Sequence, residues 1–598
     1  MAKKRLLLGA AYSVIEPLGL LHLAGLARDL DWDRKIHLVK DHNFDSFFDA
    51  VEDFKPDVVG FNVYTGNHLQ LYDAFERLKK DHPNIQTILG GPHATYFPVH
   101  ASEHADYVVM SEGFNALRNI LDGQAQKGIM PMAKSEPFPF PDRETLYADY
   151  SEHSKSRIKS LITMTGCPYK CTYCYNSSTP ADINVTPEIA KQIAATMGSS
   201  GRLFPHNVRS IDDVIKEGIE IAHKWPTEVI YFQDDVFGFD IHQWLPQFKE
   251  HWPKEVGIPY HSQMRFEMIV NESGQKRLDL VRESGGFGMT LAIEAADYTI
   301  RDEVLDRKMK EEIIFQGMQN VSDRDFKIRT EQITGLPYGA TSKQTAMNLD
   351  ADLGLVELNL RLRHETGLPT MAWGSTFAPY AGTKLGIYSK EFGHYPKLED
   401  NSDVPDTFFD RSVLRFPNQW YGPNLINIKG NHDVWLEGDE LERYRNQNAE
   451  LRRIFNFVTL VPHGEKLAKT YLESNEPYSF ERLGRDTMTH LKSIAPSNQQ
   501  AIELLESIHS LNSKVFSLDG NFKHVQDLVP YFGILPKGKL ALDRFLEYGA
   551  RKGFSASTLS TATRHHLYDN VLYDTGKSSY NRVFPSPFEE ARQSNLKI

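Results

Sequence analysis

The chain has no cysteine outside one short window. Its three cysteines, among 598 residues, are Cys167, Cys171 and Cys174 in Met164-Thr165-Gly166-Cys167-Pro168-Tyr169-Lys170-Cys171-Thr172-Tyr173-Cys174-Tyr175. None is left for disulfides or for a second cysteine-held cluster, which fits a reducing, cytoplasmic setting. No uninterrupted apolar stretch reaches the ~18 residues of a transmembrane helix. There is no basic excess either. With 67 Lys and Arg against 79 Asp and Glu, a net charge of −12, nucleic acid is disfavoured as a general partner. Internal repeats and low-complexity tracts are absent. Lys3-Lys4-Arg5 followed by Leu6 to Ala11 looks like a secretion signal, but Glu16-Pro17 interrupts it and a helical pattern follows, so a first strand and helix are expected.

The C-x3-C-x2-C spacing brings three thiolates to one inorganic centre. A four-iron cluster usually takes four cysteines, so three leave one iron open to another ligand. Zinc completed by a histidine such as His206 is the alternative. Structural zinc sites usually pair two short hairpin motifs, and no second pair exists here.

A chain of this length, 40% hydrophobic, can build several cores, on the order of three or four domains. Residues 1–128 alternate strand and helix, with apolar runs at Leu6-Leu8, Ile36-Val39, Val58-Val63, Thr87-Leu89 and Tyr107-Met110. They predict an α/β unit with a doubly wound, flavodoxin-like (Rossmann-type) parallel sheet, whose ligand sits beyond the carboxyl ends of the strands. The loops there contain Pro17, Leu18 and Gly19; Asn62 and Thr65; Gly90, Gly91 and His93; and Glu112 and Gly113. Glycines permit close approach of a ligand, although glycine at a strand end also serves simple turns. Residues 129–158, with Pro131, Pro137, Pro139 and Pro141, read as a linker.

Residues 159–400 alternate again, with strands expected at Leu161-Thr165, Val229-Gln233, Pro259-Arg265, Phe287-Glu294, Lys327-Thr334 and Met371-Phe377, and a helix capped by Ser210. Such a partial parallel barrel holds its chemistry at the strand carboxyl ends. Asp234, Asp235, Arg265, Glu294, Gly335 and Pro337 fall there, where a carboxylate can equally cap a helix. Residues 401–598 are mainly helical, with stripes at Leu441, Tyr444, Leu451, Phe455 and Val458 and at Ile502, Leu505 and Ile508. The aromatic segment that includes Phe408, Phe409, Phe416, Trp420 and Tyr421 either walls a substrate site or forms a lid packed on the barrel.

The cysteine motif resembles that of the radical S-adenosylmethionine (SAM) enzymes. Pro17-Leu18-Gly19-Leu20, Lys55-Pro56-Asp57-Val58-Val59-Gly60, Gly90-Gly91-Pro92-His93-Ala94 and Glu112-Gly113 resemble the cobalamin-binding domain that precedes it in the cobalamin-dependent members. Ser111-Glu112-Gly113-Phe114 departs from the Gly-Glu-Gly-Glu common in that family. The resemblance implies a radical SAM (β/α)6 TIM-type barrel and three cofactors: a 4Fe-4S cluster on the three cysteines, SAM, and cobalamin. It places Tyr173 against adenine, Ile230 to Asp235 at the SAM ammonium, and Leu291-Ala292-Ile293-Glu294 near SAM or substrate, with Ala295 in place of serine. Gly335-Leu336-Pro337 and Pro379-Tyr380-Ala381-Gly382-Thr383 resemble the fifth- and sixth-strand signatures. The D-x-H-x-x-G segment that supplies a histidine to cobalt is missing, since Tyr12 to Pro17 lacks histidine and Asp41-His42 lacks the spacing. Base-off cobalamin without a protein histidine is therefore expected.

The resemblance further implies methyl transfer to an unactivated carbon, or to phosphorus, of a small-molecule or natural-product substrate through a 5'-deoxyadenosyl radical and methylcobalamin. An external flavodoxin- or ferredoxin-type donor would supply electrons. A non-methylating rearrangement or oxidative cyclisation, as in the anaerobic magnesium-protoporphyrin ester cyclase, is the second reading. A carrier or sensor of cobalamin or iron-sulfur without turnover is the third.

Overall fold

The computed structural model describes residues 3–503 apart from 132–135, 197–200, 338–347, 396–410, 417–434 and the single positions 14, 41, 157, 184, 205, 370, 479, 496, 498 and 502. The first apolar runs form β1 (Arg5–Ala11), β2 (Asp33–Val39), β3 (Val58–Asn62), β4 (Gln86–Gly90), β5 (Tyr107–Val109) and β6 (Gly128–Met130). All are paired in parallel in the order β2-β1-β3-β4-β5-β6. Successive side chains serve opposite faces. Leu6 and Leu8 pack with Leu21 of helix Leu18–Asp29 and Leu117 of helix Phe114–Leu121, whereas Leu7 packs with Phe47 of helix Asp45–Phe54 and Phe75 of helix His68–Asp81. The order reverses between β1 and β3, which opens a crevice beyond their carboxyl ends.

The stretch expected to be a linker carries structure of its own. Its first residues belong to β6, an edge strand, and helices Arg143–Tyr147 and Ser151–Lys155 follow the last of its four prolines. Proline is tolerated beside a sheet edge and ahead of a helix. Asp142 caps the first of these helices, accepting from the Thr145 amide at 3.2 Å, and also accepts from Arg34 Nε at 2.6 Å. Leu146, Tyr147 and Tyr150 then complete one face of the first core.

The second sheet contains β7 (Ile158–Leu161), β10 (Val229–Phe232), β11 (Tyr260–Met264), β12 (Gly286–Glu294), β13 (Lys327–Thr334) and β14 (Met371–Thr376); β8 (Met164–Thr165) and β9 (Asn207–Val208) form a separate antiparallel pair. The six main strands are parallel and neighbour one another in chain order, an open half-barrel with β7 and β14 at its edges. The strand expected over Leu161-Thr165 is thus displaced and split. The amides of Thr163 and Met164 donate to the Asp234 carboxylate, which takes them out of the ladder. Ser210 caps helix Ile211–Lys224 as expected, accepting from the Asp213 amide.

Helices Gly438–Val458, Gly464–Glu473 and Phe480–Ile494 follow the half-barrel. Tyr444, Leu451, Phe455 and Val458 are buried in its core, with Phe455 against Gly374 of β14. Trp420, Tyr421, Phe408, Phe409 and the Ile502 stripe lie outside the described residues. Among the described residues no helix is long and apolar enough to cross a membrane.

A buried charge network joins the two sheets. Glu16, after β1, accepts from the Tyr147 hydroxyl, from the Ser160 amide at 2.5 Å and from Arg143 Nη1 at 3.5 Å. Arg143 Nη2 also donates to Ser160 O at 2.7 Å and to Glu217 Oε1 at 2.5 Å, while Arg209 Nη1 donates to Glu217 Oε2 at 2.5 Å. Two cations meet two anions, so the burial of each is offset.

Candidate active site

The cysteine loop leaves β8 and is clamped by its own backbone carbonyls. Arg202 donates to Pro168 O at 2.8 Å, Tyr169 O at 3.1 Å and Cys167 O. Ser177 Oγ donates to the carbonyls of Cys171 and Cys174, both at 2.9 Å, and Thr172 Oγ1 to Val304 O at 2.6 Å. Cys171 is buried and receives Arg265 Nη1 on its sulfur at 2.8 Å. Burial pushes the Cys167 and Cys174 thiols up, so a cationic centre would have to displace their protons.

The donor set fits an iron-sulfur centre. Three thiols come from one loop, and the Arg265 guanidinium on the Cys171 sulfur suits the negative charge that cluster thiolates carry.

Beside the cysteines, Tyr173 donates its hydroxyl to Glu294 Oε1 at 2.6 Å, and Arg307 Nη1 donates to both partners at 3.0 Å. Burial pushes the Glu294 carboxyl up against the opposing pull of Arg307. A register shift in β12 passes over Ile293, so Glu294 pairs with Gln332, and its left-handed backbone, φ +68°, accompanies the turn of its side chain toward Tyr173. Arg265 divides its guanidinium between Cys171 and Glu267, and lies over the Tyr169 ring at 3.8 Å.

The adjacent acids part company. Asp234 is fully buried and accepts from Thr163 and Met164, so it braces the start of the cysteine loop. Burial raises its pKa to about 7. Asp235 is the exposed member of the pair and lies 3.4 Å from the Tyr175 hydroxyl. After β13, Gly335 donates its amide to Asp352 at 3.1 Å, and Pro337 is buried beside it.

In the first unit, Pro17 precedes the helix in which Leu18 packs into the core and Gly19 faces open space. Asn62 Nδ2 donates to the Tyr64 hydroxyl at 3.1 Å. Gly91, at φ +96°, lies so close that an added Cβ would sit 1.9 Å from Asn62 Oδ1. Gly90 ends β4. His93 is fully buried, with Nδ1 2.9 Å from Thr65 Oγ1 and its ring stacked between His68 and Phe97. It supports the Thr65 loop. Glu112 accepts from the Asn207 side chain at 2.9 Å and the Glu136 amide at 3.1 Å, tying its loop to β9, and Gly113 begins the next helix.

The loops after β3, β4 and β5 adjoin the radical SAM half of the chain near the cysteine loop. Tyr64, after β3, and Tyr175, next to Cys174, are 43% and 40% exposed, yet both phenols are pushed up, Tyr64 by burial and Tyr175 first by Asp235 and then by burial. The charges of Cys174, Tyr96 and Tyr64 also act on Tyr175, so residues of both units lie near it. Tyr96, from the first unit, presses its ring against Gly382 of the second, where a Cβ would meet it at 2.2 Å.

Residues 4–121 match the B12 binding domain family and residues 161–341 the radical SAM superfamily. This is a B12-binding radical SAM protein. An uncharacterized methyltransferase of Pyrococcus horikoshii is 27% identical over 187 residues, covering 27% of this chain and 40% of its own. Cytidylyl-2-hydroxyethylphosphonate methyltransferase of Streptomyces wedmorensis is 22% identical over 438 residues, covering 64% of this chain and 75% of its own. The chain thus spans less than half the length of the Pyrococcus relative. The cobalamin-dependent SAM radical enzyme OxsB, solved with aqua-cobalamin, has a related fold at 13% identity and TM-score 0.51, over 96% of this chain and 84% of its own.

Several site residues carried no signal in the sequence. Arg307 and Arg202 stand in ordinary charged or loop segments, and Tyr64 and Tyr175 gain meaning only when the two units face each other. Tyr175 was within reach of sequence reasoning, since it directly follows the last cysteine.

Proposed function

We propose that this B12-binding radical SAM protein transfers a methyl group from SAM to an unactivated carbon, or to phosphorus, of a small-molecule or natural-product substrate. The carrying observation is the adjacency of the B12 loops and the cysteine loop. Tyr64 after β3 and Tyr175 beside Cys174 are both exposed and close enough to interact, which supports one substrate served by both loops. The methyltransferase names of the relatives agree with this reading.

When bound, the cluster with SAM would supply a carbon-centred radical and cobalamin a methyl group. The chain's own residues bind and orient. Cys167, Cys171 and Cys174 hold the cluster, with Arg265 stabilising negative charge on the Cys171 sulfur. The Tyr173, Glu294 and Arg307 group, the Asp234-Asp235 turn, and Gly335 and Pro337 would bind SAM, with the turn's carboxylates toward its ammonium. Pro17, Leu18, Gly19, Asn62, Thr65, Gly90, Gly91, Glu112 and Gly113, with His93 behind Thr65, would hold cobalamin, base-off and without a protein histidine. Electrons come from a flavodoxin- or ferredoxin-type donor in a reducing cytoplasm. The cluster calls for such a setting.

Turnover with the true substrate and methyl-labelled SAM should yield S-adenosylhomocysteine and 5'-deoxyadenosine in step with a labelled product. Deoxyadenosine in step with an unmethylated product, without S-adenosylhomocysteine, would decide for rearrangement or cyclisation.

A further inference from the structure

The B12-binding domain carries a second cluster of ligand-type side chains, separate from the cysteine loop. His100 and His104 stand four residues apart on helix Pro98–His104, so they share a face, and Glu103 flanks them. One ligand atom from each of His100, Glu103 and His104 lies within 4.8 Å of the others. On the neighbouring helix His68–Asp81, Glu76 Oε1 stands 3.0 Å from Nδ1 of His104.

The rings are held in place. Tyr72 stacks on His104 at 4.2 Å and 10° and meets His100 edge-on at 5.1 Å. The two imidazole centroids are 5.4 Å apart at 76°. Two imidazoles bound to one tetrahedral ion through bonds of about 2.1 Å would have centroids about 5 Å apart. The observed arrangement needs only side-chain adjustment to take one.

We propose that His100, Glu103 and His104 bind a divalent transition-metal ion, zinc by preference, with Glu76 as fourth ligand or as the carboxylate that orients His104. Two imidazoles and carboxylate oxygen suit zinc or nickel and not magnesium or calcium. The ion staples helix His68–Asp81 to helix Pro98–His104. These helices follow the Thr65 and His93 loops, and Tyr72 lies beneath both, its ring 6.0 Å from that of His93. The metal therefore stiffens the helices behind the Thr65 and His93 loops and takes no part in the chemistry.

The test is calorimetric titration of chelator-treated, cluster-loaded full chain with zinc chloride. One zinc per chain beyond the cluster is expected, with affinity weakened at least about tenfold in each of His100→Gln, His104→Gln and Glu103→Gln. Because replacing a stacked ring can loosen the helix, Glu103→Gln is the decisive variant. Glu103 is exposed, so its loss reads ligation apart from folding. Unchanged zinc affinity in all three variants would place the ion elsewhere and overturn the proposal. So would the absence of binding by the unmodified chain at roughly 100 µM zinc, a level at which even a weak site fills.

Discussion

Replacing Glu217 by glutamine should unlock the junction between the two sheets. Its carboxylate holds Arg143 and Arg209 at 2.5 Å each, and all three side chains are at most 1% exposed. Glutamine keeps the shape but removes one negative charge, leaving two buried guanidiniums to share Glu16, which contacts only Arg143, at 3.5 Å. Breaking a buried pair by removing one partner costs about 3–5 kcal/mol. In a unit of this size that lowers the melting temperature on the order of 10 °C, measurable by thermal unfolding. Charge balance supplies the control. Arg143→Met with Glu217→Met leaves Arg209 and Glu16, one of each sign, so the double variant should be more stable than Glu217→Gln alone. Burial raises the Glu217 pKa, but the two arginines outweigh it and the net shift is downward. This stabilisation is therefore present above pH 4.5, the ordinary value, and fades as pH falls below it. A loss of less than about 1 kcal/mol in Glu217→Gln, the range of an exposed pair, would refute the reasoning.

Alanine at Cys167, Cys171 and Cys174 should abolish the iron-sulfur absorbance of anaerobically reconstituted protein together with SAM cleavage; stoichiometric zinc without iron in the native protein would contradict the cluster. Gly91→Ala places a Cβ 1.9 Å from Asn62 Oδ1 at φ +96°, so Asn62 must release Tyr64, and cobalamin affinity by equilibrium dialysis should fall by about tenfold or more. Burial raises Asp352 to about 7, above its ordinary 3.8, so its protonated form favours the fold and stability declines as pH rises from 3.8 to 7; Asp352→Asn should flatten denaturant midpoints across that window. Cob(II)alamin bound to the protein should show no axial-nitrogen hyperfine splitting in electron spin resonance, and such splitting would mean that a nitrogen base sits on cobalt.

The sequence by itself determined which elements exist. Apolar runs, helical stripes and the serine cap are local patterns, and the strands fall within a few residues of where those patterns end because burial of one face is written into neighbouring residues. It also determined the inorganic centre, since three cysteines within one loop need no distant partner. Only the tertiary structure decided between neighbours and across long separations. Asp234 and Asp235 are chemically alike in the sequence, but the turn after β10 sends one under the cysteine loop and leaves the other exposed beside Tyr175. His93 shows in the sequence only as a loop residue, and packing buries it against Thr65 and Phe97. Glu16 finds Ser160 across 144 residues, and the segment that reads as a linker folds because Leu146, Tyr147 and Tyr150 meet an apolar face made by other strands. Such contacts are selected by burial and charge balance over the whole assembly of elements, which no local spacing records.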